Sequence, residues 1–172
     1  AGVAPGVVEA WLQGPNGMSG PRRVWVGGEG VRREEGDHSS AAKAMEVSVP
    51  CEVGGFTEKE ALDWYKVSLR AGQTMHARLR SGVLDSNLVG VLGLMDSAGV
   101  DIAGASVRDE GELVYRASVA QEVLLRVSDL VFRGGDAFPY VLQISEGPLE
   151  EMVWQRFPVP SFPRDGFCEW VP

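Results

Sequence analysis

Apolar and polar positions along most of this chain alternate with the period of two that marks half-buried strands, and short glycine, proline, asparagine or aspartate clusters break the alternation. Val7–Leu12 and Arg22–Val26 read as two strands around the turn signal Pro15-Asn16-Gly17. Residues 27–38 are polar, charged and glycine-rich and read as a linker, and Ser39 opens one or two helical turns that end by Glu46. Val47–Val53 is the next strand, and Thr57–Glu60 is placed as a single helical turn. Trp64–Leu69 and Thr74–Arg80 form a pair whose turn is made by Gly72. In the second of these, Met75, Ala77 and Leu79 face one way and His76, Arg78 and Arg80 the other. Leu88–Met95 is apolar, with Gly90 and Gly93 marking close backbone contacts. Asp96–Gly99 is a turn and Val100–Ala103 the return. Glu112–Val119, Glu122–Ser128 and Pro139–Ile144 complete about eight strands with short turns, which predicts an all-β antiparallel sandwich or jelly roll.

This pattern divides the chain into a hairpin over 1–26, an acidic glycine-rich linker over 27–46, a sandwich over 47–147 and an extended tail over 148–172. An isolated hairpin is marginal in water, so the first segment has to pack on something. The tail sets Pro148, Pro158, Pro160, Pro163 and Pro172 among Trp154, Phe157, Phe162, Phe167 and Trp170. Proline at that density opposes helix and central strand. So many aromatic residues suit a segment that wraps along the sandwich, leads into a further domain, or docks on a partner.

Composition narrows the class. The chain has 172 residues, 44% of them hydrophobic, with 22 glycines and 10 prolines. That is enough for one core without help from metal or disulfide. A net charge of −8 argues against duplex nucleic acid or an anionic membrane as partner, and suits a cationic partner or calcium. No run of about 18 apolar residues predicts a membrane span. Ala1 is not an initiator methionine and no signal peptide follows it, so the chain reads as a processed product or an excised segment. Cys51 and Cys168 allow one disulfide or two free thiols, and the sequence does not choose between them.

Catalytic patterns are weak. A serine or cysteine nucleophile needs a positioned base, and the histidines are His38, in the linker, and His76, on a polar strand face. There is no Gly-x-Ser-x-Gly, Cys-x-x-Cys or His-x-x-x-His pattern and no phosphate loop, so a noncatalytic chain is expected, with a hydrolase of unrecognised type as the remote alternative. Calcium is the better inorganic candidate, because Glu34-Glu35-Gly36-Asp37 precedes the sandwich and Asp63 opens the Trp64 strand. Of the adjacent Trp64 and Tyr65, one faces the core, and Trp64 is the expected anchor. Phe132-Arg133-Gly134-Gly135-Asp136 reads as a loop on a rigid scaffold, a natural place for binding.

Three segments carry a resemblance. Asp63-Trp-Tyr-Lys-Val-Ser-Leu-Arg-Ala-Gly-Gln-Thr74, Leu124-Leu-Arg-Val-Ser-Asp129 and Tyr140-Val-Leu-Gln-Ile144 resemble, in order and spacing, the bacterial pre-peptidase C-terminal domain family over about residues 32–147. The first 26 residues look like the last two strands of an immunoglobulin-like (TIG-type) domain. The resemblance implies a noncatalytic extracytoplasmic binding or accessory module of a secreted multidomain bacterial protein, with a glycan or protein ligand. It equally admits a structural subunit of a larger extracytoplasmic assembly that docks through hairpin 7–26 and tail 148–172. Some members bind calcium at an acidic segment preceding the sandwich. Glu35 and Asp37 align there, with Gly36 in place of a proline and His38 in place of the final acid, so Glu35, Asp37 and Asp63 are the implied calcium ligands. Trp154, Phe157, Phe162, Phe167 and Trp170 are the implied partner contacts.

Overall fold

The computed structural model describes residues 4–28, 30–149 and 154–155. Most of the alternating sequence becomes strand, except that the expected strand Val47–Val53 breaks at 48–50 into the end of one strand and the start of the next: β1 (Gly6–Ala10), β2 (Gln13–Gly14), β3 (Gly17–Met18), β4 (Arg22–Val26), β5 (Val31–Arg33), β6 (Met45–Val47), β7 (Cys51–Phe56), β8 (Asp63–Leu69), β9 (Thr74–Arg80), β10 (Gly90–Asp96), β11 (Asp101–Val107), β12 (Glu110–Arg116), β13 (Gln121–Asp129), β14 (Pro139–Ser145) and β15 (Trp154–Gln155). Two five-stranded sheets, β11-β10-β13-β8-β6 and β12-β9-β14-β7-β5, pack face to face. Their inner faces build one core. Tyr65, Val67, Leu92, Leu94, Val123, Leu125 and Val127 come from the first sheet, and Val53, Met75, Ala77, Leu79, Leu142 and Ile144 from the second. The chain is an all-β sandwich.

The period of two decides which side chains enter that core. On β8 the inward set is Asp63, Tyr65, Val67 and Leu69, so Tyr65, fully buried, is the core aromatic. Trp64 points to the outer face, where the Arg126 guanidinium lies 5.9 Å from its ring centre. The anchor is therefore the neighbour of the residue expected from sequence. Gly72 does make the β8–β9 turn, at φ +79°. Thr57–Glu60 forms a turn and not a helix.

The segment read as a linker is built into the sandwich. β5 adds to β7 and β6 adds to β8, both in parallel, so consecutive strands finish the same edge of the two sheets. Residues 34–44 cross between them, with one 3₁₀ turn at Ala41–Lys43.

The N-terminal hairpin packs on its own chain. β1 pairs with β4 in antiparallel register and with β15 in parallel, giving a three-stranded sheet. Beneath it, on the outer face of the second sheet, lies Arg80, at 2% exposure despite standing on the polar side of β9, and Arg78 on the same face, at 7%, pairs with Glu110 and Glu112 and donates to Leu149 O. Trp25 sits 5.5 Å from the Arg80 guanidinium and donates its Nε1–H to Glu52. Arg80 Nε donates to Gln143 Oε1 at 2.9 Å, and its Nη1 lies 3.2 Å from Glu110 Oε2. A buried charge of this kind is tolerated only when paired and hydrogen-bonded, and the hairpin supplies its cover.

Candidate functional site

One end of the sandwich gathers the chemistry. There β8 and β14 begin, β7 and β13 end, and the 34–38 strap crosses from one sheet to the other. The strap is stitched at both ends: Glu34 N donates to Gly54 O at 3.0 Å, and Trp64 N donates to His38 O at 3.0 Å. Between these points Gly36, at φ +71°, turns the backbone so that its carbonyl lies 3.0 Å from His38 Nδ1.

The turn brings Glu34, His38 and Asp63 together. His38 Nε2 lies 3.5 Å from Glu34 Oε2 and 3.6 Å from Asp63 Oδ1. One oxygen of each carboxylate is tied back, and the Tyr140 hydroxyl also stands 3.2 Å from the other Glu34 oxygen, Oε2. Phe56 N donates to Glu34 Oε1 at 2.8 Å, and the Tyr140 hydroxyl donates to Asp63 Oδ2 at 3.0 Å. The Tyr65 hydroxyl donates in turn to that of Tyr140, and the His38 ring tilts against Tyr65 at 5.6 Å between centres. Burial first, then the Glu34 carboxylate, push the Asp63 carboxyl up to about 6. Burial also raises both phenols, so Tyr65 and Tyr140 stay protonated donors.

The expected calcium ligands separate. Asp63 is in the cluster. Glu35 and Asp37 are exposed on the other side of the strap. Strand alternation explains this: with Arg33 opposite Gly54, the next residue, Glu34, faces Gly55 and the one after turns to solvent. Asp37 instead closes a local turn. Its Oδ1 accepts from Ser39 N and Oγ at 3.2 and 2.6 Å, and its Oδ2 pairs with Lys43. The Lys43 bond, with those from Ser39, holds the Asp37 carboxyl well below the usual range. His38, passed over as a linker residue, takes the inward place. Of the five tail aromatics, Phe157, Phe162, Phe167 and Trp170 lie outside the described residues, and Trp154 is described only as backbone in β15. Cys168 also lies outside them. Cys51 is half-buried, and burial pushes its thiol up to about 11, away from a reactive thiolate. His76 Nδ1 is engaged by Glu112 Oε1 at 2.7 Å.

The same end presents a second feature that sequence reasoning touched only lightly. Asp129, 1% exposed, closes β13 and organises the loop after it. Its Oδ1 accepts from Val131 N, Arg133 N and Arg133 Nε, and its Oδ2 from Val89 N and Arg133 Nη2, all between 2.9 and 3.1 Å. Burial opposes ionisation, but these bonds, led by Arg133, outweigh it and hold the carboxyl at about 2. The loop is also laced to 57–60 by Glu60 N to Phe132 O at 3.0 Å and Gly135 N to Thr57 O at 2.8 Å. On this fixed frame Leu130, Val131 and Phe132 stand 53%, 65% and 50% exposed, and Phe132 is held at φ +57°.

No helix among the described residues is long and apolar enough to cross a membrane. No known protein family and no curated protein matches the chain. Among solved structures it is similar to the pre-peptidase C-terminal domain of a collagenase from Bacillus anthracis, at 11% identity over 59% of this chain and 94% of that one, with a TM-score of 0.49. It is also similar to PliG of Aeromonas hydrophila, a periplasmic inhibitor of g-type lysozyme, at 14% identity over 58% of this chain and 96% of that one, TM-score 0.43. A third similarity is to the Yersinia pseudotuberculosis-derived mitogen, at 14% identity over 64% of this chain and 100% of that one, TM-score 0.44.

Proposed function

We propose that this chain is a noncatalytic extracytoplasmic accessory module that binds a protein through the 130–133 loop. The observation that carries the reading is the exposed run Leu130-Val131-Phe132 on a backbone pinned by Asp129. A bulky residue at positive φ costs on the order of 1 kcal/mol or more, and such strain persists where surrounding bonds over-determine it. Here it sets an aromatic ring outward beside two aliphatic side chains. That is the form of a preorganised anchor for an apolar pocket, since rigid aromatic residues contribute most where little ordering entropy is lost on binding. Aliphatic neighbours suit a protein pocket better than a sugar ring, which needs a flat aromatic platform with polar groups beside it. A net charge of −8 disfavours an anionic membrane as the apolar partner. The extracytoplasmic assignment rests on the resemblance carried by Asp63–Thr74.

The test places a photo-crosslinker at position 131 of the full chain and exposes it to the extracytoplasmic fraction of the cells that make the protein. Phe132→Asn is the informative variant, because asparagine tolerates the left-handed region and removes the ring without straining the loop. One dominant protein adduct is expected, weakened at least tenfold by Phe132→Asn while the melting temperature is unchanged or raised. Glycan-array binding that survives Phe132→Asn, with no protein adduct, would replace this reading with a glycan-binding one.

A further inference from the structure

His38 is 8% exposed, and its Nε2 has no hydrogen-bond partner among the described residues although two carboxylate oxygens face it. At 3.5 and 3.6 Å they stand just beyond hydrogen-bond reach. The opposite ring nitrogen fixes the tautomer. Gly36 O has no proton to give, so Nδ1 carries a hydrogen and donates it, which leaves Nε2 as the atom that presents a lone pair when the ring is neutral. Three electron-rich atoms, Glu34 Oε2, His38 Nε2 and Asp63 Oδ1, thus converge within 4.8 Å of one another. Such a convergence is satisfied either by a proton on Nε2 or by a metal ion at its centre.

We infer that Glu34, His38 and Asp63 bind one divalent transition-metal ion of the zinc class through these three atoms. The two spacings from His38, 3.5 and 3.6 Å, fit: ligands about 2.1 Å from a tetrahedral ion lie about 3.4 Å apart. The imidazole decides the class, because calcium selects oxygen donors whereas zinc and its neighbours take imidazole with carboxylate. Two carboxylates and a neutral ring also balance a doubly charged ion to zero. Each donor is oriented by a bond to its other atom: Phe56 N on Glu34 Oε1, Gly36 O on His38 Nδ1–H, and the Tyr140 hydroxyl on Asp63 Oδ2. Partners of that kind are what fix the ligands of metal sites. Water completes the coordination. Because the strap links β5 on one sheet to β6 on the other, the ion fastens the two sheets where they meet, and its binding adds to stability by mass action. The inference is independent of the loop reading above.

The experiment uses the full chain, stripped with chelator and titrated at neutral pH by calorimetry with zinc and, separately, with calcium. One zinc per chain is expected, with calcium bound more weakly. His38→Gln and Glu34→Gln should each weaken zinc at least tenfold, while Glu35→Gln, Asp37→Asn and His76→Gln leave it unchanged. X-ray absorption on the zinc-loaded wild-type chain needs no variant, and one imidazole among the nearest neighbours is expected. Absence of zinc uptake, or a metal shell without imidazole, overturns the inference. So does tighter binding of calcium than zinc, or zinc affinity indifferent to His38→Gln and Glu34→Gln. Absence of uptake would leave the cluster as an imidazolium held between two carboxylates.

Discussion

Gly55 is what allows Glu34 to reach its place. A Cβ at position 55 would stand 2.2 Å from Glu34 Oε2 and 2.8 Å from Tyr140 Cζ. The tyrosine ring is buried and cannot retreat, so the carboxylate would have to swing away. Gly55→Ala is therefore expected to cost about 1–3 kcal/mol by overpacking, measured by urea denaturation. Glu34→Ala in the same chain should recover part of that cost. A coupling below a few tenths of a kcal/mol in the double-mutant cycle would place the clash elsewhere. Asp63 was readable from its position before Trp64-Tyr65, at the mouth of an inward-alternating strand. The choice of Glu34 over Glu35, and of His38 over Asp37, was not. It depends on which strap residue lies opposite a glycine on β7 and on a turn at Gly36, neither of which leaves a period in the sequence.

β4 shows the same division among strands. Its existence, and its pairing with β1 around Pro15–Gly17, followed from alternation and turn chemistry. Its packing surface did not, because Arg78 and Arg80 read as solvent-facing until Trp25 is seen to cover Arg80. The short strands β5 and β6 were also hidden: three residues carry too little alternation to announce a strand, and parallel edge pairing is a tertiary event. If Trp25 is the main attachment of the hairpin, Trp25→Ala removes a cation–π contact and the Nε1 bond to Glu52 and uncovers Arg80, a loss of about 2 kcal/mol or more. Hydrogen exchange should then speed up at the β1 and β4 amides while those of β8 and β13 keep their protection. Equal acceleration in all four strands would mean that the hairpin and the sandwich open as one cooperative unit.

The loop that carries the exposed apolar run is held by an ionised carboxylate inside the fold, and that links binding geometry to the stability of the entire sandwich. Asp129 titrates at about 2 in the folded chain, against an ordinary aspartate value near 4 when unfolded. Its stabilising contribution is therefore complete above about pH 4 and is lost as pH falls toward about 2. A depression of that size corresponds to stabilisation on the order of 2 kcal/mol. Asp129→Asn cannot accept through both atoms and has no charge to offer Arg133, so the variant should be less stable at neutral pH. The difference between the two proteins should shrink as pH is lowered through this window, because the wild-type carboxyl protonates and the asparagine does not. Melting temperatures of both proteins measured from pH 6 to pH 2 check the sign, and a gap that stayed constant or widened on acidification would mean that Asp129 is already protonated in the native loop. Where the gap closes, the crosslinking yield at position 131 should fall with it, since protonation releases the frame that holds Phe132 outward.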